Sequence, residues 1–221
     1  MPLIVRSLAR YFANRSLQWR PEDFDAYKWV HALKGNELRG YARIPVQGFV
    51  RRLSNQNLES AVEWFADMAV TELKEFDLAG PFLVVPVPNS RCLVDSAMTP
   101  RTRRLARALA GRLDDSSEVL DCLRWKKDLG SASKDGGPRA PQVLYGNLTV
   151  LKSRLKDLDG ERTPLLVDDV TTSGGHLMAC AARLRENDLN VTHAICGAKT
   201  LYDQDDHAFS IVEETLEDFE P

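Results

Sequence analysis

The sequence predicts an α/β protein built on a doubly wound parallel sheet, with a small irregular extension at its N-terminus. Short apolar runs, which are typical of strands, alternate with segments in which apolar residues recur every three or four positions, as in helices. The strand-like runs are almost wholly apolar, as expected of parallel strands covered on both faces. The chain has 221 residues, which is enough to bury a core without disulfides or metal.

The first half of the chain provides one helix, one strand and the start of a second helix. Residues 1–55 show no clear period and are interpreted as an N-terminal hood, with a possible strand over 38–46. Residues 57–77 have helical periodicity, and the apolar run 82–85 reads as a buried strand. Thr99 and Pro100 have the residue types of an N-cap and a first helical position, so they predict where the second helix begins.

The second half repeats the alternation and ends in an acidic segment. We expect strands over 118–123, 165–167 and 191–198, and a helix over 174–186. Residues 124 to about 141 form a long predicted loop, and loops of this length are usually functional or disordered. We therefore divide the chain into a hood over 1–55, a core over 56–202 and an acidic C-terminal segment over 203–221.

The distribution of charge favours an anionic ligand. The net charge is −3, yet eight of the 32 acidic residues lie in 203–221, which contains no Lys or Arg. The rest of the chain has 29 basic and 24 acidic residues, so the body is mildly positive. We interpret the acidic segment itself as a solvated end of the chain.

Cysteine spacing and hydropathy indicate the kind of environment. Four widely spaced cysteines form no CxxC pair, which disfavours a zinc module or a disulfide framework and fits a reducing, cytoplasmic location. No stretch approaches about 18 consecutive apolar residues, so we expect no membrane-spanning helix. The first 20 residues contain no acid and are either a targeting signal or a basic element of the fold; their arginines are Arg6, Arg10, Arg15 and Arg20.

One segment, residues 165–175, predicts chemistry. Its sequence, LLVDDVTTSGG, is a buried strand ending in the carboxylates of Asp168 and Asp169, followed by a loop of small residues that opens a helix. Backbone N–H groups at such a helix start bind phosphate, and glycines allow the ligand to approach closely. The carboxylates would repel phosphate, so they should face sugar hydroxyls or a cation. The pattern therefore predicts a phosphorylated sugar, bound with Mg²⁺.

This segment resembles the motif by which type I phosphoribosyltransferases bind 5-phosphoribosyl-1-pyrophosphate (PRPP). In order along the chain, Pro86-Val87-Pro88 resembles the family's pyrophosphate loop and residues 103–110 its following helix. Residues 123–148 are similar to the loop and return strand of the ComF-like branch, so the likeness covers about 82–200. It implies a Rossmann-like parallel-sheet core and Mg²⁺-dependent transfer of phosphoribosyl from PRPP to a nitrogenous acceptor.

The resemblance also implies roles for individual residues. Asp168 and Asp169 would bind the ribose hydroxyls and Mg²⁺, and Lys126 and Lys127 would act as catalytic cations in a loop that also holds Lys134 and Arg139. Thr172 stands where hypoxanthine-type enzymes carry a further acid, which disfavours purine salvage. The 5′-phosphate would be held by Thr171, Thr172, Ser173, Gly174 and Gly175, and pyrophosphate by Val87, Pro88, Asn89, Ser90 and Arg91.

Two alternatives to an active transferase remain open at this stage. The chain could be a PRPP- or nucleotide-sensing regulator that keeps the pocket without catalysis. The ComF-like resemblance also implies an accessory factor in DNA uptake or processing, for which basic and aromatic residues could line a single-strand groove. Those residues are Trp19, Arg20, Tyr27, Lys28, Trp29, Arg51 and Arg52. Homodimers are common in the family, so a second copy of the chain is a further expected partner.

Overall fold

A mostly parallel sheet forms the centre of the protein in the computed structural model, which describes residues 1–12, 18–76, 78, 80–130, 140–156, 158, 162–203 and 206–219. The predicted α/β class is thereby confirmed. The strands are β1 Leu3–Ser7, β2 Arg10–Phe12, β3 Tyr41–Val46, β4 Phe49–Ser54, β5 Phe82–Pro86, β6 Glu118–Val119, β7 Leu123–Trp125, β8 Leu148–Val150, β9 Thr163–Thr171, β10 His193–Leu201 and β11 Val212–Leu216. The α-helices are α1 Pro21–Leu33, α2 Ser60–Glu75, α3 Arg103–Leu113, α4 Pro141–Asn147 and α5 Gly175–Arg185.

The central sheet has the strand order β11-β1-β10-β9-β5-β6, and β2 continues beside β10. All its pairings are parallel except the edge pairing of β11 with β1. Two hairpins lie outside it, β3 with β4 and β7 with β8. Two apolar cores cover the sheet, one against α1, α2 and α3 and the other against α4, α5 and the β7–β8 pair.

The predicted core elements are present with shifted ends. The helix predicted over 57–77 is α2, and the strands at 82–85, 165–167 and 191–198 are β5, β9 and β10. Thr99 is not the N-cap of the second helix, because a turn over 101–102 precedes α3 and Thr102 takes that position. The strand expected over 118–123 divides between β6 and β7. The predicted loop over 124 to about 141 begins with the end of β7, and α4 begins at Pro141, where that loop was expected to end.

The N-terminal stretch is more regular than its sequence indicated. Our interpretation of residues 1–55 as irregular is wrong, because β1 and β2 belong to the central sheet and α1 packs beside β2, β3 and β10. The possible strand over 38–46 corresponds to β3. The domain boundaries at residues 55 and 202 stay predictions. The central sheet contains strands from the hood, the core and the acidic segment.

The acidic segment and the basic N-terminal stretch pair with each other. β11 forms the antiparallel edge beside β1, so our interpretation of a solvated acidic end is corrected. Arg6 Nε donates to Glu213 Oε2 at 2.7 Å, and the Arg10 guanidinium lies 3.4 Å from Asp206. Opposite charge is thus neutralised within the fold. Within the described ranges, no helix is long and apolar enough to cross a membrane.

Candidate functional site

The candidate site lies at the carboxyl ends of β5 and β9, where the direction of strand order reverses. The strand that follows β5 in the chain, β6, lies on one side, and the strand that follows β9, β10, lies on the other. In open α/β sheets, ligands bind in the crevice at this switch point. Pro86 pairs with Val167, so the loop after β5 begins level with Asp168. The two loops singled out from sequence therefore meet at one edge of the sheet.

Asp168 and Asp169 stand side by side at the end of β9. Asp169 is 4% exposed, whereas Asp168 is half-buried and accepts the backbone N–H of Asp169 at its Oδ1, at 2.8 Å. Burial, and next the adjacent charge of Asp169, raise the pKa of Asp168 well above its usual value. A cation or hydroxyl donors at this point would relieve the unfavourable pairing of two carboxylates.

Arg101 is a site residue that sequence reasoning missed. Its Nε donates to Asp169 Oδ2 at 2.8 Å, and its Nη2 contacts the same oxygen. Its backbone N–H donates to Asn89 Oδ1 at 3.1 Å, which ties the acid pair to the loop after β5. The signal was the cation directly after Thr99 and Pro100 in the sequence.

Only part of the loop between β9 and α5 is open to a ligand. Thr171 is only 3% exposed, and the Thr172 hydroxyl donates to Thr200 Oγ1 at 3.2 Å, so both side chains are engaged within the protein. Ser173 is exposed, and Gly174 is the N-cap of α5 without a capping side chain. Gly174 and Gly175 are themselves buried, so Ser173 is the exposed residue at the positive end of the 11-residue helix α5.

Gly174 is required at its position for two reasons. Its φ is +76°, in the left-handed region that favours glycine. A Cβ there would lie 2.3 Å from Leu216 Cδ1 of β11, which is far below any normal contact. The C-terminal strand therefore fixes the backbone of this loop from behind.

The loop after β5 is held by its neighbours on both sides. The Val87 carbonyl accepts the Thr102 hydroxyl at 2.6 Å, and the Pro88 carbonyl accepts Trp125 Nε1 at 3.1 Å. Asn89 Oδ1 accepts the Cys92 thiol and the Arg101 N–H, both at 3.1 Å. Ser90 is half-buried and Arg91 is exposed. The carbonyls and the Asn89 side chain thus build the loop, and the Arg91 guanidinium is accessible to a ligand.

A second glycine lets β10 approach the acid pair. A Cβ on Gly197 would lie 2.7 Å from the carbonyl oxygen of Asp169 and 2.2 Å from Leu33 Cδ1. The Gly197 carbonyl also accepts Trp29 Nε1 at 3.3 Å, which anchors α1 to the sheet at this level. Glycine here brings the end of α1 close to the site.

The predicted catalytic lysines are not paired with the acids. Lys126 Nζ donates to the Gly146 carbonyl at 2.9 Å, and Lys127 is exposed. Neither lysine forms an ion pair with Asp168 or Asp169, all four of which are described. Lys134 and Arg139 lie outside the described residues. A catalytic role for the lysines stays a prediction.

One aromatic residue of the predicted single-strand groove, Trp29, is not accessible to a nucleic acid. Trp29 is fully buried, so it cannot stack on a base. The Arg52 guanidinium covers the Tyr41 ring at 4.6 Å, and the Arg51 guanidinium lies 5.8 Å from the Trp64 ring centre. Both arginines thus lie near aromatic rings of the fold, and Arg52 is exposed; nucleic-acid binding stays a prediction that these contacts do not support.

Comparison with known proteins gives a weak structural likeness. No family model matches the sequence, and no curated protein is similar to it. A tetragonal crystal structure of a hypoxanthine phosphoribosyltransferase from Staphylococcus aureus is similar at 13% identity, over 66% of this chain and 76% of that chain, with a TM-score of 0.35. The orthorhombic crystal form gives 14% identity, the same coverage and a TM-score of 0.34. A likeness of this size leaves the family of the chain open.

Proposed function

We propose that this protein binds PRPP with Mg²⁺ and transfers its phosphoribosyl group to a nitrogenous acceptor, releasing pyrophosphate. The observation that carries the proposal is the arrangement at the end of β9. There, two adjacent carboxylates are followed by a loop at the start of α5, and the loop after β5 lies beside them. Membership of the ComF-like branch of phosphoribosyltransferases is part of the same proposal, based on the sequence motifs.

The phosphate end of PRPP fits the start of α5. Ser173 is exposed and presents its hydroxyl there, whereas Gly174 and Gly175 are buried, and the helix dipole favours a dianion at this end of α5. Thr171 and Thr172 contribute through their backbone, because their side chains are engaged inside the protein.

The acid pair fits the ribose hydroxyls and one Mg²⁺. Magnesium is commonly held by one or two carboxylates together with substrate phosphates, and Asp168 and Asp169 are a donor set of that kind. When bound, Mg²⁺ would neutralise the leaving pyrophosphate. Arg101 holds Asp169 in place and would add positive charge on the same side.

Holding both ends of PRPP accounts for the expected chemistry. The bond from C1 of the ribose to the pyrophosphate oxygen breaks, and a bond from C1 to the acceptor nitrogen forms, with the oxocarbenium character known for glycosyl transfer. Such a reaction depends on positioning and charge stabilisation more than on a reactive side chain. The Arg91 guanidinium and the amides of Asn89 and Ser90 would receive the pyrophosphate, because the Val87 N–H donates to the Val167 carbonyl and Pro88 has no N–H.

Calorimetric titration of PRPP, with and without Mg²⁺, tests the proposal. We expect Mg²⁺-dependent binding by the wild type and its loss in the Asp168→Asn/Asp169→Asn variant. Ser173→Glu, which places a negative charge on the exposed part of the loop, should weaken binding as well. Asp115→Asn, at an exposed turn after α3, is the matched control. No binding by the wild type, or equal binding by both site variants after circular dichroism has verified their folding, would overturn the proposal.

A PRPP-sensing regulator is the second candidate. The observation that favours it is the position of Lys126, whose ammonium contacts Gly146 rather than the acid pair. Pyrophosphate release in the presence of nitrogenous bases separates the candidates. A transferase releases pyrophosphate in proportion to the acceptor consumed, whereas a regulator binds PRPP without turnover.

A further inference from the structure

A basic cavity of about 330 Å³ lies between the end of α1 and the start of α3. The sequence motifs did not point to it. Its lining contains five cations and no acid: Lys34, Arg101, Arg103, Arg104 and Arg107, with Gly35, Thr99 and Pro100. A concave surface with this balance attracts an anion.

Three of the five cations already have partners. Arg101 binds Asp169, and Arg103 Nε lies 3.6 Å from Asp121. Arg104 donates to the Ala32 and Leu33 carbonyls, at 2.7 and 2.8 Å, and so closes the end of α1. Arg104 also lies 3.7 Å from Glu59 Oε1, whereas Lys34 and Arg107 form no ion pair within the described part of the chain; the Lys34 ammonium lies 5.8 Å from the Tyr11 ring centre. These two are the charges that a ligand would neutralise.

The cavity adjoins the acid pair. Arg101 belongs to its lining and contacts Asp169. Burial raises the pKa of Asp168, and the Lys34 ammonium lies close enough to oppose that rise. The cavity lies among α1 and α3, whereas α5 packs with the core on the other face of the sheet. It therefore flanks the acids on the side away from the loop at the start of α5.

If the proposed function holds, the position of the cavity determines which part of the bound substrates would lie in it. With the 5′-phosphate at the start of α5 and the hydroxyls on the acids, C1 of the ribose faces away from α5, because C1 and C4, the ring carbon that carries C5 and its phosphate, lie on opposite sides of the ring oxygen. We propose that the cavity binds an anionic substituent of the acceptor, so that the acceptor is a small nitrogen heterocycle carrying a carboxylate. The volume suits a small ligand.

The test compares carboxylated heterocycles with neutral relatives. Nicotinate against nicotinamide, and orotate against uracil, are titrated by calorimetry with and without ribose 5-phosphate and Mg²⁺. Ribose 5-phosphate would fill the phosphate and hydroxyl sites, and it carries no pyrophosphate at C1 that could occupy the cavity. We expect at least one carboxylate to bind about tenfold more tightly than its neutral relative, as two charged contacts imply. Lys34→Gln/Arg107→Gln should abolish that preference, and Lys74→Gln, on the exposed surface of α2, should retain it.

Affinity for PRPP is measured on the same variants, because it separates this inference from the proposed function. PRPP binding that is unchanged in Lys34→Gln/Arg107→Gln, with the carboxylate preference lost, supports the inference. An equal loss of PRPP affinity would assign the cavity to pyrophosphate and overturn it. Absence of a carboxylate preference, or a preference retained in the double variant, would also overturn it. Failure of the wild type to bind PRPP would instead contradict the proposed function.

Discussion

Removing the guanidinium of Arg101 should destabilise the protein through Asp169. The Asp169 side chain is 6% exposed and that of Arg101 is 41% exposed, so the pair is neither fully buried nor a surface pair. Breaking a buried pair costs about 3–5 kcal/mol, whereas an exposed pair contributes about 0.2–1 kcal/mol. Because Asp169 is buried and Arg101 is partly solvated, we expect a coupling free energy of about 1–2 kcal/mol between the two side chains.

A double-mutant cycle measures this coupling in urea unfolding. Arg101→Gln alone should lower the melting temperature by about 2–8 °C for a chain of this length. Asp169→Asn should be less harmful, because it also removes repulsion from Asp168. The double variant isolates the pair. Arg91→Gln, at an exposed arginine of the neighbouring loop, is the control and should change stability by less than about 0.5 kcal/mol. A coupling energy near zero would refute the assignment of Arg101 as the residue that holds Asp169.

Three further predictions concern proton binding, the loop backbone and the thiols. Burial, followed by repulsion from Asp169, raises the pKa of Asp168 above 3.8. Between pH 3.8 and the raised pKa, the folded state keeps a proton that the unfolded chain has lost. Asp168 therefore lowers the free energy of unfolding as the pH rises through that range. Asp168→Asn should therefore exceed the wild type in unfolding free energy at pH 7 and match it below about pH 3.5; a constant difference between the two pH values would contradict this. Gly174→Ala should lower the free energy of thermal unfolding by about 1–3 kcal/mol, because of the positive φ and the clash with Leu216. Gly111→Ala, in open space on α3, is the control and should raise it by up to about 1 kcal/mol. Equal effects of the two substitutions would argue against the close approach of Leu216 to Gly174. Burial raises the pKa of all four thiols, that of Cys122 to about 12; the thiols are Cys92, Cys122, Cys180 and Cys196. A disulfide reagent at pH 8 should therefore react slowly with the native protein, whereas in denaturant it should react with all four thiols. Rapid reaction of the native protein would contradict their burial.

The core could be predicted because its elements carry strong local patterns. The apolar run 82–85 in β5 and the apolar run 165–167 in β9 are typical of buried strands, and the glycines after β9 mark the start of α5. Two such strands place their following loops at one edge of a parallel sheet, so the position of the acid pair beside the loop after β5 followed from the alternation alone.

The N-terminal strands and the roles of individual side chains could not be predicted in the same way. β1 and β2 are only five and three residues long, and their partner β10 lies about 190 residues away in sequence. No local pattern encodes a pairing of that range. Likewise, Thr171 and Thr172 have the right residue type for a phosphate loop, but whether a hydroxyl faces ligand or Thr200 depends on packing from β10.

Arg101 illustrates the same difficulty at the candidate site. An arginine at the start of a helix is usually solvated, and only the closeness of the ends of β5 and β9 brings it to Asp169. The basic cavity has this origin as well, since Lys34 and Arg107 are 73 positions apart in the chain and meet only because α1 and α3 share one face of the sheet.

Crystallography of the protein with PRPP and Mn²⁺ in place of Mg²⁺ tests the central claim most directly. Manganese scatters anomalously, so its position can be separated from that of water. We expect the manganese peak next to the carboxylates of Asp168 and Asp169, and the 5′-phosphate on the backbone amides at the start of α5. A manganese peak elsewhere, or a phosphate bound away from residues 173–175, would contradict the account.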